Sequence, residues 1–123
     1  MAYEVLVVED SAAMRSFIAS TVEEIEGVAV TEAESGFQAL KELPRGSFDL
    51  IITDINMPDI NGLELIRFIR ENEKYKATPL IIVSTESSQR DRERGLALGA
   101  NAYLVKPFTP AALKEAVNRY LKD

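Results

Sequence analysis

The run FDLIITDINMPDING, residues 48–62, carries an apolar strand containing Leu50, Ile51 and Ile52 straight into Asp54, then a proline, a second aspartate and a glycine. Carboxylates are costly to bury, so an acid placed where a buried strand ends has to be hydrated, capped or paired with a cation. The strand itself is too continuously apolar for a sheet that is wet on one face. Four further runs share this character: EVLVV at 4–8, VAVTEA at 28–33, PLIIVS at 79–84 and AYLVK at 102–106. Strands of this kind belong to a sheet covered on both faces.

The segments between the strands have helical spacing. Met14, Phe17, Ile18, Val22 and Ile25 form one apolar stripe, and Leu113, Ala116, Val117, Tyr120 and Leu121 form another. The punctuation agrees: Ser35 with Gln38 reads as a capping box, Thr109 then Pro110 as N-cap and first helical residue, and Gly99 as the residue just past a helix end. Five β/α units follow, with no internal repeat, low-complexity tract or linker among them. Residues 1–123 therefore read as one α/β domain with a parallel sheet and right-handed crossovers. Strand order does not follow from this pattern.

Composition excludes several functions. With 14 Lys plus Arg against 20 Asp plus Glu, the net charge of −6 repels phosphate backbones and anionic membrane surfaces, so neither nucleic acid nor membrane is an expected partner. Without cysteine there is no disulfide, thiol nucleophile or thiolate metal site. Without histidine there is no histidine triad or histidine metal ligand, and no phosphohistidine can form on this chain. The start, MAYEVLVVED, has too short an apolar run and no basic region for a signal peptide or membrane span, and the expected location is the cytoplasm.

Ligands of open parallel sheets bind beyond the carboxyl ends of the strands. Here those ends carry Glu9 and Asp10, then Asp54, then Ser84 and Thr85, then Lys106. Taken singly, Asp10 reads as the N-cap of the first helix, Asp54 as a turn residue, Ser84 as a loop hydroxyl and Lys106 as a solvated lysine. Their convergence at one sheet edge points elsewhere. Two carboxylates about 4 Å apart repel by ~4 kcal/mol at an effective dielectric near 20, so three of them protonate or recruit a cation. All-oxygen donors favour a hard divalent ion, and Mg²⁺ suits carboxylates with carbonyls, waters and a phosphate oxygen. A magnesium site beside a lysine and a hydroxyl is a phosphoryl-transfer site in outline, with Asp54 the best-placed nucleophile.

The set VVEDS, IITDINMPDINGLEL, IIVSTES and AYLVKPF, in this order and spacing, resembles the receiver domains of two-component response regulators across essentially the whole chain. Among them it is most similar to the single-domain chemotaxis regulators, which have no output domain. The resemblance implies a flavodoxin-like (βα)5 doubly wound sandwich with strand order 2-1-3-4-5. It also implies that Asp54 accepts a phosphoryl group from the phosphohistidine of a histidine kinase. Mg²⁺ is then held by Asp10, Asp54 and the backbone carbonyl of Asn56, with Glu9 acting through a water. Ser84, Thr85 and Lys106 bind the phosphoryl oxygens, and the Lys106–Pro107 bond is expected to be cis. Asn56 and Glu86 flank the approach of hydrolytic water and tune the lifetime of the acyl phosphate, while Pro58 and Gly62 shape the loop after Asp54.

Output is expected through Ser84 and Tyr103. If Ser84 moves toward the phosphoryl group, Tyr103 turns inward to fill the space, altering the surface of the fourth helix, fifth strand and fifth helix. That surface departs from flagellar-motor binders: Arg92 replaces an apolar contact and Ala116 stands where a lysine is frequent. The expected function is a monomeric phosphorylation-dependent signalling switch, in chemotaxis, acting on a signalling or motor protein. The alternatives are a phosphorelay intermediate or phosphate sink. A haloacid-dehalogenase-like magnesium phosphohydrolase places a second acid two residues after its nucleophile, where this chain has Asn56. A flavodoxin-like cofactor carrier fails because Glu9 and Asp10 repel a phosphate.

Overall fold

The computed structural model describes residues 2–85 and 89–121. Strands β1 (Tyr3–Val8), β2 (Val28–Ala33), β3 (Leu50–Asp54), β4 (Leu80–Ser84) and β5 (Ala102–Val105) alternate with helices α1 (Ala12–Glu23), α2 (Gly36–Glu42), α3 (Gly62–Glu71), α4 (Gln89–Ala97) and α5 (Pro110–Leu121). All pairings are parallel, and the strand order is β2-β1-β3-β4-β5, as the resemblance implies.

Alternation of side chains along the strands divides the core into two. Val5, Val7, Leu50, Ile52, Ile81 and Val83 pack with Ile18 and Val22 of α1 and Leu113, Val117 and Leu121 of α5. On the other face, Leu6, Val8, Ile51 and Ile82 pack with Ala39 of α2 and Leu65, Ile66 and Ile69 of α3. The three inner strands are thus covered on both sides, but β2 and β5 are not: at the sheet edges they remain partly exposed, and Val105 is 40% accessible. An edge strand has one neighbour and less helix above it, so the expectation of full cover holds only for the interior of the sheet.

Helix ends follow local chemistry. Thr109 Oγ1 accepts from the Ala112 amide at 3.0 Å, and Gly99, with φ of 116°, lies just past α4. Ser35 Oγ accepts from the Gln38 amide at 3.1 Å, whereas Gln38 Oε1 accepts from Glu34 at 2.7 Å, one residue earlier than in a standard capping box. At the start of α1 the cap is Ser11, whose Oγ accepts from the Met14 amide at 3.3 Å. Asp10 is therefore not the cap, and its carboxylate is left for another role.

Candidate functional site

Sheet register brings the polar strand ends together. Val8 pairs with Thr53, so Glu9 and Asp54 emerge side by side from β1 and β3. Asp54 pairs with Val83 and Ser84 with Val105, and Lys106 follows directly, its amide donating to the Ser84 carbonyl at 2.7 Å. From there the Lys106 side chain reaches back across β4 and β3: Nζ donates to Glu9 Oε1 at 2.7 Å and to Asp54 Oδ2 at 3.2 Å. Only 8% of Lys106 is accessible, 6% of Asp54 and 1% of Glu9 and of Ser84. The readings of a solvated lysine, a turn aspartate and a loop serine are excluded by this burial and by the position of Asp54 and Ser84 as the last residues of their strands.

Carboxylate oxygens of Glu9, Asp10 and Asp54 all lie within 4.8 Å of one another, with Asp10 on the exposed side. The two buried acids are oriented separately. The Ile55 amide donates to Asp54 Oδ1 at 2.7 Å, leaving Oδ2 to Lys106, and the Ser11 amide donates to Glu9 Oε2 at 3.1 Å. Burial pushes the Glu9 carboxyl above its usual range, with Asp54 adding to the rise, against the hydrogen bonds from Lys106 and Ser11. For Lys106 burial pulls downward, but the bond to Glu9 and the attraction of both acids outweigh it, so the ammonium is held above its ordinary value and stays charged.

Three carboxylates facing one ammonium leave a formal charge of −2. The donors are all oxygen, and the exposed Asp10 gives them an open side. This set fits a hard divalent cation such as Mg²⁺. Asn56, two residues past β3, is exposed, as is Thr85 immediately after β4; Glu86 lies outside the described residues. The Lys106–Pro107 peptide is cis. A cavity of about 350 Å³ between α3 and α4, lined by Leu63, Glu64, Arg67, Arg94, Ala97 and Leu98, contributes no residue to this cluster.

Residues 5–118 match the response regulator receiver domain family. The chain belongs to that family. It is 41% identical over 119 residues to a chemotaxis protein CheY homolog of Campylobacter jejuni, covering 96% of this chain and 92% of the relative. The solved structure of the chemotaxis response regulator CheY4 of Vibrio cholerae matches with a TM-score of 0.90 at 36% identity, covering 98% of this chain and 100% of that one. The receiver domain of sensor histidine kinase PA1611 from Pseudomonas aeruginosa PAO1, solved with a magnesium ion coordinated in its active site cleft, matches with a TM-score of 0.88 at 32% identity over 98% of each chain.

The site thus lies in a CheY-like receiver domain, a signalling module. Among the described residues no helix is long and apolar enough to cross a membrane. Tyr103, paired with Ile82 on β5, is half-buried against the α3-side core, and the Arg92 guanidinium of α4 lies 5.9 Å from its ring centroid. That pairing joins two residues that sequence reasoning had singled out separately. Two participants were missed. Arg15 Nη1 donates to the Glu9 carbonyl at 2.9 Å, and Asp59 accepts from the Gly36 and Phe37 amides at 3.2 and 2.9 Å. Asp59 was visible only as the second acid of the loop, since its partners lie 23 and 22 residues earlier.

Proposed function

We propose that this receiver is a phosphorylation-dependent switch of a two-component system, with Asp54 as the phosphoacceptor. The observation that supports this most is the double hydrogen bond of Lys106 to Glu9 and Asp54, which places a fixed positive charge against the one strand-end acid that also neighbours Ser84. In the proposed reaction an Asp54 carboxylate oxygen attacks the phosphorus of a histidine kinase phosphohistidine. An O–P bond forms as the N–P bond breaks, and the imidazole leaves with the electron pair and takes a proton from solvent. The Ile55 amide and Lys106 hold the two Asp54 oxygens, so the carboxylate is oriented before its donor arrives. Lys106, with the hydroxyls of Ser84 and Thr85, then binds the phosphoryl oxygens.

Asp10, Asp54 and the Asn56 carbonyl would hold Mg²⁺, with Glu9 acting through a water. When bound, the ion supplies charge neutralisation at the phosphoryl oxygens. Asn56, exposed just past β3, flanks the path of hydrolytic water, and Asn56 and Glu86 are the residues that tune the acyl-phosphate lifetime in this reading. Output follows from Ser84 moving toward the phosphoryl group and Tyr103 turning inward, altering the α4–β5–α5 face for a signalling or motor protein. The chemotaxis relatives favour that setting, and in this reading the protein acts as a monomer in the cytoplasm.

A small-molecule phosphodonor with Mg²⁺ tests the chemistry. About one phosphoryl group per chain, absent in Asp54→Asn, is expected; persistent stoichiometric labelling of the variant sinks the assignment, and many turnovers per chain indicate a hydrolase. A phosphate sink or relay is the second reading, favoured by Arg92, whose charge occupies the Tyr103 ring face on the output surface. Chemical-shift changes on adding beryllofluoride and Mg²⁺ separate the two. They reach Tyr103 and α4 in a switch and stop at the loops around Asp54 in a sink.

A further inference from the structure

The loop between β3 and α3 is fixed at three places. At its base the Gly62 amide donates to the Ile55 carbonyl at 2.7 Å, and a Cβ on residue 62 would lie 2.1 Å from the Asp54 carbonyl oxygen, so only glycine lets α3 begin this close to β3. At its exit Asn61 Oδ1 accepts from the Leu63 amide at 2.8 Å. Both of these tie the loop to its own flanking elements. At its apex the loop is tied to a different element: the Asp59 carboxylate accepts from the Gly36 and Phe37 amides of α2, and Ile60 packs on Gly36, where an added Cβ would come within 2.7 Å of Ile60 Cβ.

The first amides of a helix have no partner within the helix. In α2 the Gln38 amide is taken by Ser35, and those of Gly36 and Phe37 by Asp59. The cap of α2 is therefore shared between its own serine and an acid from the loop that carries Asn56. Asn56 stands between the base of that loop and its apex. Water can take the place of Asp59 at the exposed end of α2, but the loop apex would then keep only the packing of Ile60 on Gly36.

We propose that Asp59 is a positioning residue for the divalent-cation site: by clamping the loop apex onto α2 it fixes the Asn56 backbone beside Asp54. This rests on the proposed reading in which Asp10, Asp54 and the Asn56 carbonyl hold the cation. The clamp also makes Gly36 part of the same device, since any side chain there pushes Ile60, and the loop with it, away from α2.

Calorimetric titration with Mg²⁺ alone, without phosphodonor, tests this on the wild type, Asp59→Ala, Gly36→Ala and Asp10→Ala. Asp59→Ala and Gly36→Ala are expected to weaken Mg²⁺ on the order of tenfold, at the low end for residues that orient metal ligands. Their far-UV circular dichroism should remain that of the wild type. Gly36→Ala changes no charge, and the loss in Asp59→Ala should persist at high ionic strength, where the effect of one missing exposed charge is screened. Wild-type affinity in Asp59→Ala, or a loss that salt abolishes, overturns the clamp while the Asp10→Ala control leaves the cation site standing. Absence of Mg²⁺ binding by the wild type overturns the cation reading and the clamp together.

Discussion

Lys106 gives its shorter hydrogen bond to Glu9, at 2.7 Å, and its longer one, 3.2 Å, to Asp54. The ammonium is thus shared between an acid fully inside the sheet edge and the acid proposed to react, and it compensates both. Removing it leaves two buried carboxylates beside Asp10 without their cation.

Lys106→Ala is accordingly expected to destabilise the metal-free protein by roughly 3 kcal/mol, the low end for breaking a buried pair, because the Asp10 side of the cluster is open to water. Saturating Mg²⁺ should recover part of that loss, since a divalent ion then meets three uncompensated acids. Urea unfolding with and without Mg²⁺ measures both, and an equal loss in the two conditions would show that the acids are not coupled to a cation.

Asp10→Ala should raise the melting temperature of the metal-free protein, because it relieves repulsion within the carboxylate cluster. The same variant should no longer respond to Mg²⁺. For the wild type, Mg²⁺ at a hundred times its Kd adds about 2.7 kcal/mol by mass action. Thermal melts across a Mg²⁺ series check both statements, and a wild-type melting temperature indifferent to the ion contradicts them.

The Arg92 guanidinium on the Tyr103 ring face is an exposed cation–π contact, worth ~0.5–1 kcal/mol. If the contact favours one ring position, Arg92→Ala shifts the balance between positions by a factor of about 2–5, and no more. The readout is the beryllofluoride concentration that half-saturates the Tyr103 and α4 shifts. An unchanged midpoint would mean that Arg92 contacts the ring equally in both states.

Asp59 provides a pH signature. The Phe37 amide first, and the Gly36 and Ile60 amides with it, hold its carboxyl below the ordinary value of 3.8, against a smaller opposing effect of burial. A depressed carboxyl contributes stability that is fully present above its unfolded value and is lost as pH falls through the lower, folded one. The wild type should therefore melt above Asp59→Asn by a constant margin from neutral pH down to about 5, and the margin should close below 3.8. The Gly36 and Phe37 amide resonances should titrate with it; resonances that stay flat would place the carboxylate elsewhere.

Much of this protein follows from local pattern. Continuous apolar runs such as Leu50–Ile52 and helical stripes such as Met14, Phe17, Ile18 and Val22 report burial directly, because the side-chain periods of strand and helix are fixed by backbone geometry. The polar residues at strand ends were equally readable, since a parallel sheet delivers them all to one edge. Which of them touch was decided by tertiary structure. Val8 opposite Thr53 and Ser84 opposite Val105 are matters of register between strands distant in sequence, and they give Lys106 to Glu9 as well as to Asp54. That Ser11, and not Asp10, caps α1 turns on which side chain reaches one amide. The partial exposure of β2 and β5 depends on strand order, which the apolar pattern alone does not encode. The bond of Asp59 to α2 and the stacking of Arg92 on Tyr103 join elements that no periodicity links. A carboxylate's partner is whatever donor folding brings within about 3 Å, and that distance exists only once the chain has closed on itself.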